Sequence, residues 1–194
     1  MTLVGLVEPE KADPSVAATL ESGIGQYGFA LNTWKALLHR PPIFNAYLPY
    51  LRAVVGPGLL SQRIKNLAAV RVAIANHCRY SASHRVRAAQ DAGVTDNELA
   101  AVAADRLDGF DDRERLAIEF ARELSLQPIA VRYGDNPGAV DASLLSLLRG
   151  CYSDAEIVEL TAVISLWNAL TRFHRVMGLP LDMPPPPPAI DEVI

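Results

Sequence analysis

Alternating runs of β-branched residues are scarce along this chain, alanine and leucine dominate, and signals that start and stop helices are frequent. The pattern predicts helices near 15–26, 30–39, 42–55, 62–76, 80–91, 96–104, 112–126, 141–149 and 154–177. Thr95–Glu98, Asp111–Glu114 and Ser153–Glu156 have capping-box spacing. Gly93, Gly150 and Gly178 follow helical runs, where a stop with positive φ is easiest for glycine. The 62–76 stretch is apolar on most of its circumference through Ile64, Leu67, Ala68, Val72, Ile74 and Ala75, so it belongs in a core or a subunit contact. The 154–177 helix is also mostly apolar and is expected to be the central packing element. Residues 1–14 are poor in pattern and read as an arm over the surface. Residues 184–188 are five prolines, which favour polyproline II, so 181–194 reads as an extended tail. The tail is either a ligand for an aromatic groove or a stiff segment lying on the protein itself or on a neighbouring subunit.

Composition narrows this to a globular all-α chain. It has 194 residues, 50% of them hydrophobic and 21% charged. Eighteen basic residues against twenty-two acidic and four histidines give a net charge of −4. A general nucleic-acid footprint needs the opposite balance. No stretch approaches eighteen uninterrupted apolar residues, so no membrane span is expected. The N-terminus lacks the basic region and apolar core of a signal peptide, which points to a cytoplasmic protein. Two cysteines, Cys78 and Cys151, do not make a disulfide framework. The histidines are scattered without zinc spacing, so no metal and no cofactor is assigned.

The chemistry concentrates between Asn66 and Leu99. One helix ends at Asn76-His77-Cys78 and the next begins around Arg79-Tyr80-Ser81. Cys78 therefore sits near a helix N-terminus, where partial positive charge, helped by Arg79 and His77, lowers a thiol pKa. The alternative is a buried cysteine acting as a small apolar residue. His84 is the best acid–base candidate, against a solvated histidine in the basic run His84-Arg85-Val86-Arg87. Arg85 and Arg87 are candidates for a carboxylate fork, although Arg87 also has Asp91 at i+4. Tyr80 and Trp167 either line an apolar pocket or serve as ordinary core. His174 shares a helical face with Trp167 and Leu170 and reads as a satisfied core histidine; Cys151 reads as structural.

Arg71-Val72-Ala73, Asn76, Cys78, Tyr80, Ala92-Gly93-Val94-Thr95, Glu98 and Leu99 form a frame that resembles the carboxymuconolactone decarboxylase and alkylhydroperoxidase D superfamily. Pro57-Gly58-Leu59-Leu60-Ser61 before it, and Arg172-Phe173 with Gly178-Leu179-Pro180 after it, extend the resemblance. It implies a helical bundle over 15–180 with its core motif at 58–105. It also implies a pocket between helices near Cys78, and a homo-oligomer, a trimer or higher. Redox members carry E-x11-C-x2-C-x3-H. Carried over without a gap, those positions fall on Asn66, Cys78, Ser81 and Arg85, so three of the four differ. Serine forms no disulfide and asparagine accepts no proton at neutral pH. Dithiol peroxidase turnover and a Cys78–Cys151 disulfide are therefore not expected.

The first functional reading is an enzyme acting by acid–base, lyase- or isomerase-type chemistry on a small carboxylated or carbonyl substrate. Cys78, His84 and Ser81 are then catalytic, and Arg85, Tyr80, Asn66 and Trp167 bind substrate. The alternatives are a non-catalytic ligand-binding or structural relative, and a residual single-cysteine peroxidase. The state of Cys78 separates them: a low-pKa thiol beside His84 in a pocket favours an enzyme, and a buried neutral thiol with no adjacent cavity favours the bland reading.

Overall fold

The computed structural model describes residues 2–126 and 140–194, and among these no strand occurs. The helices are α1 Ala17–Tyr27, α2 Asn32–Leu37, α3 Pro41–Val55, α4 Gln62–Ala75, α5 Arg79–Asp91, α6 Asp96–Ala103, α7 Asp112–Leu126, α8 Ala142–Cys151, α9 Asp154–Met177 and α10 Pro188–Asp191. The chain is all-α, as its helix signals require. None of the helices among the described residues is long and apolar enough to cross a membrane.

The local signals act unevenly. Thr95–Glu98 and Ser153–Glu156 form full capping boxes. At Asp111 only half forms: its carboxylate accepts from Glu114 N, while the Glu114 side chain goes to Arg63. Gly93 and Gly178 adopt positive φ as expected, and Gly28 (φ 80°) ends α1 the same way. Gly150 is no stop, because α8 runs through it to Cys151.

The centre of the bundle is α4 rather than α9. From Ile64 to Ile74 every α4 residue is buried, and the helix packs on α5, α7 and α9. Two charges, Lys65 and Arg71, enter with it. Lys65 is 2% exposed; it donates to Val54 O (3.1 Å) and Gly56 O (2.7 Å) and pairs with Glu159 of α9. Glu159 in turn accepts from Leu59 N at 2.8 Å. This knot fastens the 56–60 turn onto α9 and leaves no room for a Cβ at Gly58. Beyond α3, Trp34 is fully buried with its ring edge-on to Tyr27, 5.5 Å between centroids.

Both termini lie on the bundle. From residue 2 onward, the N-terminal segment bonds through Leu3 N to Met177 O and through Val7 N to Lys35 O. The tail is extended only as far as Pro187. It then turns into α10, which buries Ile190 completely among the α4–α6 side chains and pairs Asp191 with Arg79 at 2.6 Å. Proline is tolerated at the first turn of a helix, so the end of the proline run starts α10.

Candidate functional site

The corner between α4 and α5 sets the site. His77 takes the left-handed conformation (φ 48°), with His77 N bonded to Ile74 O and Cys78 N to Ala73 O. That is a Schellman closure made without glycine, so the sequence carries no glycine to announce it. Asn168 of α9 accepts from Asn76 at 2.8 Å, and Arg175 donates to Asn76 O at 2.8 Å, holding the corner against α9. Cys78 becomes the N-cap residue of α5. It is 1% exposed, and burial pushes its thiol up despite the helix N-terminus. Arg79 does not activate it, because its guanidinium is taken by Asp191.

A small cavity of about 30 Å³ lies between α3, α5 and α9 and the α1–α2 connection. Tyr80, Ser81, His84 and Arg85 reach it from α5, Trp167 and His174 from α9, and Thr33 from α2. Cys78 is not among its lining residues and stands behind Ser81. Such a space holds about one or two waters.

His84 is buried at 8% exposure, not solvated, and its Nε2 lies 2.6 Å from Asp182 Oδ1. Asp182 also accepts from Tyr80 OH (2.7 Å) and Asn32 N (2.7 Å). Although burial acts to raise its pKa, the His84, Tyr80 and Asn32 hydrogen bonds together hold the carboxyl below its ordinary range. Starting from that carboxylate, the direction of every bond follows. Tyr80 spends its proton on Asp182, so it accepts from Thr33 Oγ1 (3.1 Å). Thr33 must then accept from His174 Nε2 (2.9 Å). The other His174 nitrogen, Nδ1, accepts from Ser81 Oγ (2.8 Å), and Ser81 accepts the thiol proton of Cys78 (3.3 Å). Thiol and carboxylate are thus the two ends of one chain of hydrogen bonds, and the thiol is the neutral, donating end.

His174, read from sequence as core, is the middle of that chain. Burial, then the nearby His84, pushes its pKa down to about 3. A histidine so weakly basic does not activate Ser81 as a nucleophile. The same shift predicts a pH dependence. Below the ordinary histidine value of about 6.5 the unfolded chain binds a proton that folded His174 refuses, so this contribution to stability is complete above that pH and falls on acidification towards 3. Urea midpoints should give wild type a slope steeper than His174→Asn by up to about 1.4 kcal/mol per pH unit between pH 6 and 4.5. Equal slopes would contradict a neutral His174.

Arg85 and Asn66, both singled out from the sequence, face each other, with Arg85 Nη1 3.4 Å from Asn66 Oδ1. The guanidinium lies over the Trp167 ring, 4.2 Å from its centroid. Arg87 points away and pairs with Asp91 at 3.1 Å on the exposed face. Cys151 is half-buried at the end of α8 and is a free thiol, as is Cys78. Of the residues singled out from sequence, Cys78, Tyr80, Ser81, His84, Arg85, Asn66 and Trp167 do come together. Thr33 and Asp182 were missed: no local pattern marks a threonine in α2 or a lone aspartate before a proline run.

Among the described residues the protein is an all-helical bundle with a cysteine at the start of a helix packed on a buried one. The model of the carboxymuconolactone decarboxylase family matches residues 41–123, from α3 into α7. Over that segment the chain is similar to the carboxymuconolactone decarboxylase family. It is 29% identical over 118 residues to the uncharacterized protein YnjA of Escherichia coli, a match spanning 60% of each chain. Among solved structures it resembles a peroxidase-related protein with an alkylhydroperoxidase D core from Ralstonia eutropha (TM-score 0.76, 18% identity, 98% of this chain and 94% of that one). It also resembles a cysteine-to-alanine variant of the debrominase Bmp8 in complex with 2,3,4-tribromopyrrole (TM-score 0.75, 20% identity, 100% and 96% of the two chains). The family segment carries Asn66, Cys78, Tyr80, Ser81, His84 and Arg85; Thr33, Trp167, His174 and Asp182 lie outside it.

Proposed function

We propose that this chain is an enzyme that moves protons on a small carboxylated or carbonyl substrate, in lyase- or isomerase-type chemistry, with His84 as the acid–base group. The observation that carries the reading is the His84–Asp182 pair at a cavity that also presents Arg85. Asp182 holds the Nε2–H tautomer, leaving Nδ1 of His84 as the base and stabilising the imidazolium that forms. A C–H bond next to the substrate carbonyl breaks, its proton goes to Nδ1, and its electron pair moves onto the carbonyl oxygen. Arg85 opposes the resulting negative charge. Return of the proton to another carbon completes an isomerisation; loss of carbon dioxide from a carboxylate placed β to the carbonyl gives the same enolate in a lyase. Anything larger than two waters requires a cavity wall to move, so binding and wall opening are coupled.

The test begins with a thermal-shift screen of small phenolic, lactone and keto acids, followed by turnover on whatever binds. His84→Ala should lower that turnover by about 10²–10⁴; Cys151→Ala should leave it intact. Full activity in the His84 variant sinks the assignment.

A thiol reading has one observation behind it: the hydrogen-bond chain offers the Cys78 proton a path to Asp182. A peroxide would then oxidise the thiolate to a sulfenic acid and leave as water or an alcohol. Peroxide consumption lost in Cys78→Ala but kept in His84→Asn would favour it over the acid–base reading.

A further inference from the structure

Arg85 is a cation without an anion. Arg63 and Arg71, the other arginines drawn into the bundle, each sit on a carboxylate: Arg63 on Glu98 and Glu114, Arg71 on Asp105. For Arg85, no carboxylate pairs with it among the described residues. Its hydrogen bonds are to neutral groups, a long one to Asn66 and one to the Tyr27 hydroxyl; its face is covered by Trp167, and its Nε is shut off from solvent with no partner. Its neighbours are phenols, Tyr27 and Tyr47, rather than acids. The carboxylate of the hydrogen-bond network, Asp182, is engaged by His84, Tyr80 and Asn32. Arg85 is half-buried, with its Nε cut off from water, and drawing a guanidinium inward is unfavourable unless a counter-charge goes in with it. Burial does push this group down, yet an arginine stays protonated at any working pH.

We propose that the cavity against Arg85 is a binding site for a small, weakly hydrated monoanion, a halide or the carboxylate of a very small acid, which the resting protein holds as the arginine's counter-ion. The size fits, since about 30 Å³ admits a single ion of water-like dimensions. The lining fits as well. Leu31, Leu51, Val55 and Trp167 supply an apolar wall that favours anions already poorly held by water. Sulfate and phosphate are excluded by size and by the cost of desolvating a second charge. The site shares the cavity of the proposed reaction but does not rest on it, because anion binding needs neither His84 nor turnover. A substrate carboxylate would displace the ion.

The experiment titrates sodium bromide, chloride, formate and sulfate against gluconate at constant ionic strength. Wild type should show a saturable rise in thermal midpoint with the monoanions, roughly 5–10 °C at a hundredfold excess over Kd. Sulfate should give none. Bromide should outrank chloride if the occupant is a halide; formate should outrank both if it is a carboxylate. Arg85→Gln should abolish the response, with helical circular dichroism confirming the fold. Trp167→Phe, which keeps the charge, should retain it. Chloride NMR line broadening by native wild-type protein, reversed by excess bromide, gives a readout that needs no variant. The proposal is overturned if wild type shows no saturable effect, or if Arg85→Gln responds equally. Loss of activity in His84→Ala with the anion response intact separates this site from the acid–base reading.

Discussion

Asp182→Asn is expected to lower turnover by about 10²–10⁴ while leaving the protein folded. The amide keeps the shape of the carboxylate, and its oxygen can still accept from Tyr80 OH and Asn32 N, which now meet Asp182 Oδ2. Its NH2 group then faces His84 Nε2 in place of Oδ1. Two donors cannot share that contact, so Nε2 becomes the acceptor and the ring proton moves to Nδ1. The base is lost through its tautomer alone. kcat should fall with KM little changed, since Tyr80 keeps an acceptor in the amide oxygen and Arg85 hydrogen-bonds to Asn66 rather than to residue 182. Asp182→Ala should cost the same activity and in addition about 1–3 kcal/mol for each buried donor left unpaired. Full turnover in Asp182→Asn would show that His84 does not act through this pair.

Lys65→Met should be the most damaging single change to stability, by about 3–5 kcal/mol. The ammonium is the buried partner of Glu159 and the donor to two carbonyls at the end of α3. Methionine fills the same channel, so the cost is electrostatic: Glu159 loses its counter-charge and keeps only the Leu59 and Leu60 amides, and Val54 O loses its Lys65 donor while Gly56 O keeps Gln62 Nε2. Replacing both partners, Lys65→Met with Glu159→Leu, should recover much of the loss, because a buried pair removed whole is far cheaper than one broken. The thermal midpoint of the single variant should fall by roughly 6–20 °C. The cavity should suffer too, since Val55 lines it beside the tethered turn. A single-variant cost under about 1 kcal/mol in urea unfolding would mean that water already serves this knot.

The sequence by itself determined the helices and most of the motif, because those are local. Capping boxes at Thr95 and Ser153 and glycines at 93 and 178 act over one turn, and they start and stop helices wherever the rest of the chain goes. The apolar girth of 62–76 likewise demanded burial. Cys78, Ser81, His84 and Arg85 fall within two turns of one helix, so their neighbourhood followed from their spacing. What only the tertiary structure decided is the protonation chemistry of those residues, because pKa and tautomer depend on partners distant in sequence. Asp182 comes to His84 across 98 residues and His174 to Ser81 across 93. Burial overrode the helix dipole at Cys78 and decided, between the two readings its position left open, for a neutral donor. His174, placed in the core by its pattern, is indeed buried, but there it joins a network that its spacing did not show. A proline run that alone reads as an extended tail is bent back by Asp191 and Ile190, delivering an aspartate that no motif marks. Local order is encoded by neighbours along the chain; the charge states of a site are set by whatever the fold packs against it.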